Sequence, residues 1–165
     1  MTETEKVEAP TTSLVAKLEE EGDIAADYLE GLLDITDLDG DIDIDVENER
    51  ASLAIVGGKL GHLVGKSGEV LDAIQELTRL AVQTSTGDRS RLMLDIDGYR
   101  AGRKDELRKL AKESAEEVTT TQGFLKLAPM NAFERKVIHD TIQDLGLTSE
   151  SEGEDPDRCV VIFPN

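Results

Sequence analysis

Two glycines three residues apart, Gly65 and Gly68, stand between an apolar run and a long helix-patterned segment. The stretch reads Leu53-Ala-Ile-Val-Gly-Gly-Lys-Leu-Gly-His-Leu-Val-Gly-Lys-Ser-Gly68. Its pattern predicts a strand over Leu53–Val56, a short helix over Lys59–Val64, a tight loop, then a helix over Glu69–Gln83. On that last helix Val70, Ile74, Leu77 and Ala81 share one face. Glycines without a Cβ let another chain approach the loop closely. The helix after the loop directs its free N–H groups and positive dipole end toward it. The loop is therefore a candidate seat for a phosphate.

A nucleotide phosphate fits poorly. A phosphate-cradling NTPase loop reads G-x-x-x-x-G-K-[ST] after a strand. Gly65-Lys66-Ser67 supplies the ending, but Leu60 stands where the leading glycine belongs, and Gly61 comes one position late. The residues after Asp95 also hold too few strand–helix repeats for such a core. The acidic run Asp37–Asp45 invites a calcium reading, yet Gly40 is at position four of that run and Asn48 at position twelve. An EF-hand loop requires glycine at six and glutamate at twelve. Alternation of Ile42, Ile44 and Val46 with Asp41, Asp43 and Asp45 instead predicts a half-buried strand over Asp41–Glu47.

The remaining pattern fills in around the loop. Asp23–Asp34 reads as a helix, with Ile24, Tyr28 and Leu32 on one face. Arg91–Ile96 reads as a closing strand. A Gly-x-x-Gly loop joining two helices, within an α-β-β-α-α-β order, resembles a type II KH domain. That resemblance implies an α+β fold with a three-stranded sheet and helices on one face. It also implies that Gly65, Lys66, Ser67 and Gly68 clamp the backbone of single-stranded RNA or DNA. Leu63, Val64, Ile74 and Ile55 would supply an aliphatic groove for bases, because an aromatic share of 3% leaves little for stacking.

Carboxylates outnumber bases 36 to 18, for a net charge of −18. Residues 1–50 carry most of the excess, with 17 acids against 3 bases. Residues 1–22 are expected to form an acidic disordered tail, 23–98 the KH-like domain and 99–165 a second domain. No apolar run approaches a membrane span, and the N-terminus lacks a signal peptide's pattern. One cysteine, Cys159, excludes an intrachain disulfide and points to a reducing, cytoplasmic setting. No spacing for a metal site, a catalytic triad or paired catalytic carboxylates is present, so neither cofactor nor catalysis is expected.

The bases cluster downstream. On a helix, Arg100, Lys104, Arg108 and Lys112 form one i, i+4 ridge, with Leu107, Leu110 and Val118 toward a core. Phosphate neutralisation dominates nucleic-acid affinity, so this ridge is a candidate contact. Asn131 and Glu134 form a capping-box pattern that starts another helix, with Val137, Ile138, Thr141, Ile142 and Leu145 as its apolar stripe. Arg135 and His139 lie four apart on that helix and so share a face.

Pro129-Met130-Asn131, then Arg135-x-x-x-His139, then Thr148-x-x-Ser151-Glu-Gly-Glu-x-Pro156-x-Arg158-x-Val160-Val-Ile162, resembles the single-stranded nucleic-acid-binding domain called R-three-H. A KH-like domain followed by this one resembles the Jag family of bacterial RNA-binding proteins, over about residues 23–164. The resemblance implies a small α+β second domain and roles for Arg135, His139 and Arg158 in RNA binding. It further implies a cytoplasmic, post-transcriptional regulator linked to cell elongation, division and the cell wall. A small single-KH protein is the implied partner, without membrane insertion. Several positions depart from the family. Ser67 stands where a second base is frequent in the loop, Glu150 and Cys159 occupy positions that often carry bases, and an acidic stretch is expected in place of the further N-terminal domain of longer members. The competing reading is a protein-interaction module with weakened RNA binding that acts through the small KH partner.

Overall fold

The computed structural model describes residues 10–165. They divide into two compact units, the first ending at Tyr99 and the second running Arg100–Asn165.

The first unit opens with helix α1, Pro10–Ile35. The acidic tail expected over residues 1–22 is therefore corrected. Residues 10–22 are helical, and residues 1–9 lie outside the described residues. Composition hid a repeat: Leu18, Gly22, Ala25, Leu29 and Leu33, spaced by three and four, are all buried. The extension is tied down by Lys17, whose Nζ lies 2.8 Å from Asp88. Ser90 Oγ also donates to Glu21 at 3.0 Å, and both of those residues are buried. Ile24, Tyr28 and Leu32, the expected core face, only flank the core that Ala25, Ala26, Leu29 and Leu33 fill.

Strands β1 (Asp41–Glu47) and β2 (Arg50–Val56) form an antiparallel hairpin. Asn48 and Glu49 turn it with φ values of 50° and 58°. The alternating Asp residues of β1 face solvent, as period two predicts. After β2 come α2 (Gly61–Val64), the glycine loop, α3 (Glu69–Thr86) and β3 (Met93–Ile96), which pairs parallel to β2. The glycine loop thus lies within the crossover that a parallel pair requires. The sheet order is β1-β2-β3, and Leu53, Ile55, Leu94 and Ile96 pack with α1 and α3 in one core.

The buried stripe of α3 is Leu71, Ile74, Gln75, Thr78 and Val82. It is displaced by about one position from the expected Val70–Ile74–Leu77–Ala81 face. Two apolar stripes run along this helix, and the other one, Val70, Leu77 and Leu80, is left exposed.

The second unit holds α4 (Tyr99–Thr121, whose first residue belongs to the first unit), β4 (Leu125–Lys126), α5 (Ala132–Asp144), β5 (Thr148–Glu152) and β6 (Cys159–Phe163). Its sheet order is β4-β6-β5, with both pairs antiparallel. The helices bury Leu107, Ala111 and Val118 of α4 and Val137, Ile138 and Ile142 of α5 against Val160 and Ile162. Leu110 and Leu145, expected in the core, are 38% and 47% exposed. The capping box of α5 is present: Glu134 N donates to Asn131 Oδ1 at 2.9 Å, and Asn131 N to Glu134 Oε2 at 3.1 Å. Among the described residues, no helix is long and apolar enough to cross a membrane.

Candidate nucleic-acid interface

In the first unit, the glycine loop is built around positive φ. Gly65 has φ 73°, Ser67 55° and Gly68 77°. Lys66–Gly68 form a 3₁₀ turn, after which Gly68 serves as N-cap of α3 with no side-chain cap. The first-turn amides of α3 are thus left without a capping side chain, beside the exposed Lys66 and Ser67. Glu69 and Asp72 sit in the same first turn. Their charges favour the helix dipole, and they weaken the same site as an anion seat.

Both glycines also have reasons internal to the fold. A Cβ on Gly65 would strike Val70, and one on Gly68 would lie 2.7 Å from Tyr99 Cε1. The expected aliphatic groove is not present as a surface. Leu63, Val64, Ile74 and Ile55 are all buried in the core, because they hold α2 and α3 on the sheet.

In the second unit, Arg135 is 6% exposed. Its Nη1 donates to the Met130 carbonyl at 2.6 Å and to Asp155 Oδ1 at 3.1 Å. The guanidinium joins the chain before α5 to the turn before β6 and does not stand out into solvent. His139, one turn along α5, is held between two hydroxyls on β5. Its Nδ1 is 2.6 Å from Ser149 Oγ and its Nε2 is 2.8 Å from Ser151 Oγ. Burial lowers its pKa below the usual 6.5, and Arg135 and Arg158 add to this, while Asp140 opposes it. At neutral pH the ring is uncharged, so it donates to one serine and accepts from the other.

His139 also lines an open depression of about 720 Å³, shared with Gln143, Thr148, Ser149, Ser151, Arg158 and the acidic Glu150. Arg158 Nε is buried and has no hydrogen-bond partner among the described residues. Arg158 itself lines the depression and brings a guanidinium charge to its wall, which suits an acceptor oxygen. Sequence reasoning missed Ser149, Ser151 and Gln143. The alternation along Thr148–Glu152 that turns both serines toward α5 is the signal that would have placed the two serines.

The basic ridge is shorter than its spacing suggests. Arg100 is buried, with its guanidinium carbon 5.6 Å from the Phe133 ring centroid. Lys104, Arg108 and Lys112 are exposed. Arg108 lies 3.7 Å from Asp105, and the neighbouring Lys109 lies 4.0 Å from Glu113. Arg103 donates to the buried Glu134 at 2.8 Å, bracing the capping box.

Residues 105–164 match the R-three-H domain family. The chain is 38% identical over 143 residues to the RNA-binding protein KhpB of Clostridium symbiosum, covering 85% of this chain and 64% of that protein. It is 36% identical over 137 residues to KhpB of Lactiplantibacillus plantarum, covering 82% of this chain and 42% of that protein. With KhpB of Bacillus subtilis the identity is 32% over 138 residues, covering 82% of this chain and 66% of the relative. The matches thus span less than two thirds of the length of these relatives. With an R-three-H domain in its second unit and KhpB proteins aligned along more than four fifths of its length, the chain belongs to the Jag family, of KhpB type.

Proposed function

We propose that the chain is a non-catalytic, single-stranded RNA-binding protein. Its first unit is read as a type II KH domain. The α-β-β-α-α-β order and the glycine loop ahead of an uncapped α3 support this. Gly65–Gly68 seat an RNA phosphate on the first-turn amides of α3, with Lys66 adding charge. In the R-three-H unit, Arg158 takes a second phosphate in the depression beside His139, while Arg135 holds the walls of that depression. Lys104, Arg108 and Lys112 give weaker, salt-sensitive contacts.

The single observation that carries the reading is Arg158 lining the depression beside His139 and the two serines of β5. It is joined by the name of the relatives, which are RNA-binding proteins. Arg158→Gln should weaken binding of a mixed-sequence single-stranded RNA with the fold intact by circular dichroism. Wild-type affinity in that variant contradicts the assignment. The cellular part of the reading is a cytoplasmic, post-transcriptional role in elongation, division and wall homeostasis. A deletion strain with unchanged cell length and wall synthesis would refute it.

A second reading is favoured by the exposed stripe on α3. Val70, Leu77 and Leu80 are 37%, 52% and 56% exposed. Such a stripe suits a partner helix, here the small single-KH protein. Leu77→Glu should leave stability within about 0.5 kcal/mol, because surface changes usually cost little, and should abolish co-purification with that partner. Retained co-purification removes this reading.

A further inference from the structure

We propose that Tyr99 is a positioning residue of the glycine loop, keeping the loop in the form that receives an RNA phosphate. The inference rests on the reading of the loop as an RNA seat.

The phenol ring lies on the open side of Gly68. A Cβ built there would lie 2.7 Å from Tyr99 Cε1 and 3.4 Å from Cζ. Gly68 is the N-cap of α3, in a left-handed conformation with φ 77° and ψ 14°. The ring therefore closes over the residue that orients the uncapped amides. Gly68 is the one residue type that admits both the positive φ and the ring.

Tyr99 reaches this place through a built turn. Strand β3 ends at Ile96, and Asp97 and Gly98 follow with φ values of 56° and 69°. Asp97 N donates to the Ile55 carbonyl at 2.8 Å, which anchors the turn to β2. Two successive left-handed residues reverse the chain and deliver Tyr99, partly buried, against the first unit's core. The other end of the loop is held separately by the close approach of Val70 to Gly65. Lys66 and Ser67 are exposed between these two clamps.

A clamp of this kind sets the fraction of molecules whose loop is ready to bind. Apparent affinity scales with that fraction. The number of phosphates contacted does not change, so the salt slope should stay the same when the ring is removed. Affinity and salt slope together therefore separate positioning from direct charge contact.

The chain has no tryptophan and two tyrosines, Tyr28 and Tyr99. In a Tyr28→Phe background, tyrosine emission therefore comes from Tyr99 alone. The probe is a mixed-sequence single-stranded RNA titrated into the intact chain. Tyr99→Ala, or Tyr99→Leu if the alanine variant does not fold, should bind about tenfold more weakly with an unchanged salt slope. RNA should change Tyr99 emission in the Tyr28→Phe protein, and should not do so when Lys66→Asp and Ser67→Asp are added.

Wild-type affinity in Tyr99→Leu, with binding weakened in the Lys66→Asp/Ser67→Asp protein, overturns the role of Tyr99 and leaves the loop reading standing. Tyr99 emission insensitive to RNA that is bound through the loop overturns it as well. Full binding by the Lys66→Asp/Ser67→Asp protein, or no binding by the wild type, overturns both.

Discussion

Arg135 donates through Nη1 to the main-chain carbonyl of Met130 at 2.6 Å, from a side chain that is only 7% exposed. The same atom lies 3.1 Å from Asp155. One guanidinium thus joins the segment leading into α5 to the turn leading into β6. Arg135→Ala should cost about 2 kcal/mol, the range for buried hydrogen bonds to a charged group. Thermal unfolding of the intact chain followed by circular dichroism checks this. An unchanged midpoint would mean that Arg135 does not hold the two segments together.

His139 gives the R-three-H unit a pH dependence of definite sign. Its folded pKa lies below 6.5, mainly through burial. Below about pH 6.5 the unfolded chain therefore binds the proton first, and folding loses stability as pH falls toward the lowered folded value. The contribution is fully present above 6.5. The neutral ring that burial favours donates to one of the two serines and accepts from the other. Chemical denaturation at pH 7.5 and 5.5 should show a larger acid loss for the wild type than for His139→Gln. Equal losses would contradict the placement of a neutral ring between Ser149 and Ser151.

The loop glycines serve the fold before they serve any ligand. Gly65 has φ 73°, and an added Cβ would meet Val70. Gly65→Ala should therefore destabilise the first unit by about 2 kcal/mol, from left-handed backbone and overpacking together. Denaturant unfolding without RNA checks it. A variant as stable as the wild type would show that the loop relaxes around the methyl group. Lys66 and Ser67 are exposed, and aspartate tolerates the left-handed backbone of Ser67 at φ 55°, so charge changes there test binding more cleanly than glycine replacements.

The elements governed by local rules were the legible ones. Period-two alternation placed β1 at Asp41–Glu47, and the capping box of Asn131 and Glu134 placed the start of α5. Side-chain orientation was harder to read where two solutions fit. Along α3 the Val70–Leu77–Leu80 stripe is as apolar as the Leu71–Ile74–Val82 stripe, and only packing against the sheet decides which is buried. The acidic composition of residues 10–22 concealed a helix that Glu21 and Lys17 fix through contacts made far along the chain. Arg135 and Arg100 read as surface bases because charge and spacing look the same whether a guanidinium meets solvent, a carbonyl or a phenyl ring. The unpartnered Nε of Arg158 and the Tyr99 ring on Gly68 depend on long-range packing that no local pattern encodes.

The most direct test of RNA binding through both units is a titration of single-stranded RNA across a range of salt. It should compare the wild type, the Lys66→Asp/Ser67→Asp protein and Arg158→Gln. For the wild type, log affinity should fall linearly with log salt, with a slope of about −0.7 for each phosphate contacted. Each variant should bind more weakly, and Arg158→Gln should lose about one contact's worth of slope, near 0.7. A wild-type affinity that does not respond to salt, or that neither variant alters, would contradict a phosphate-seating role for the loop and the R-three-H depression.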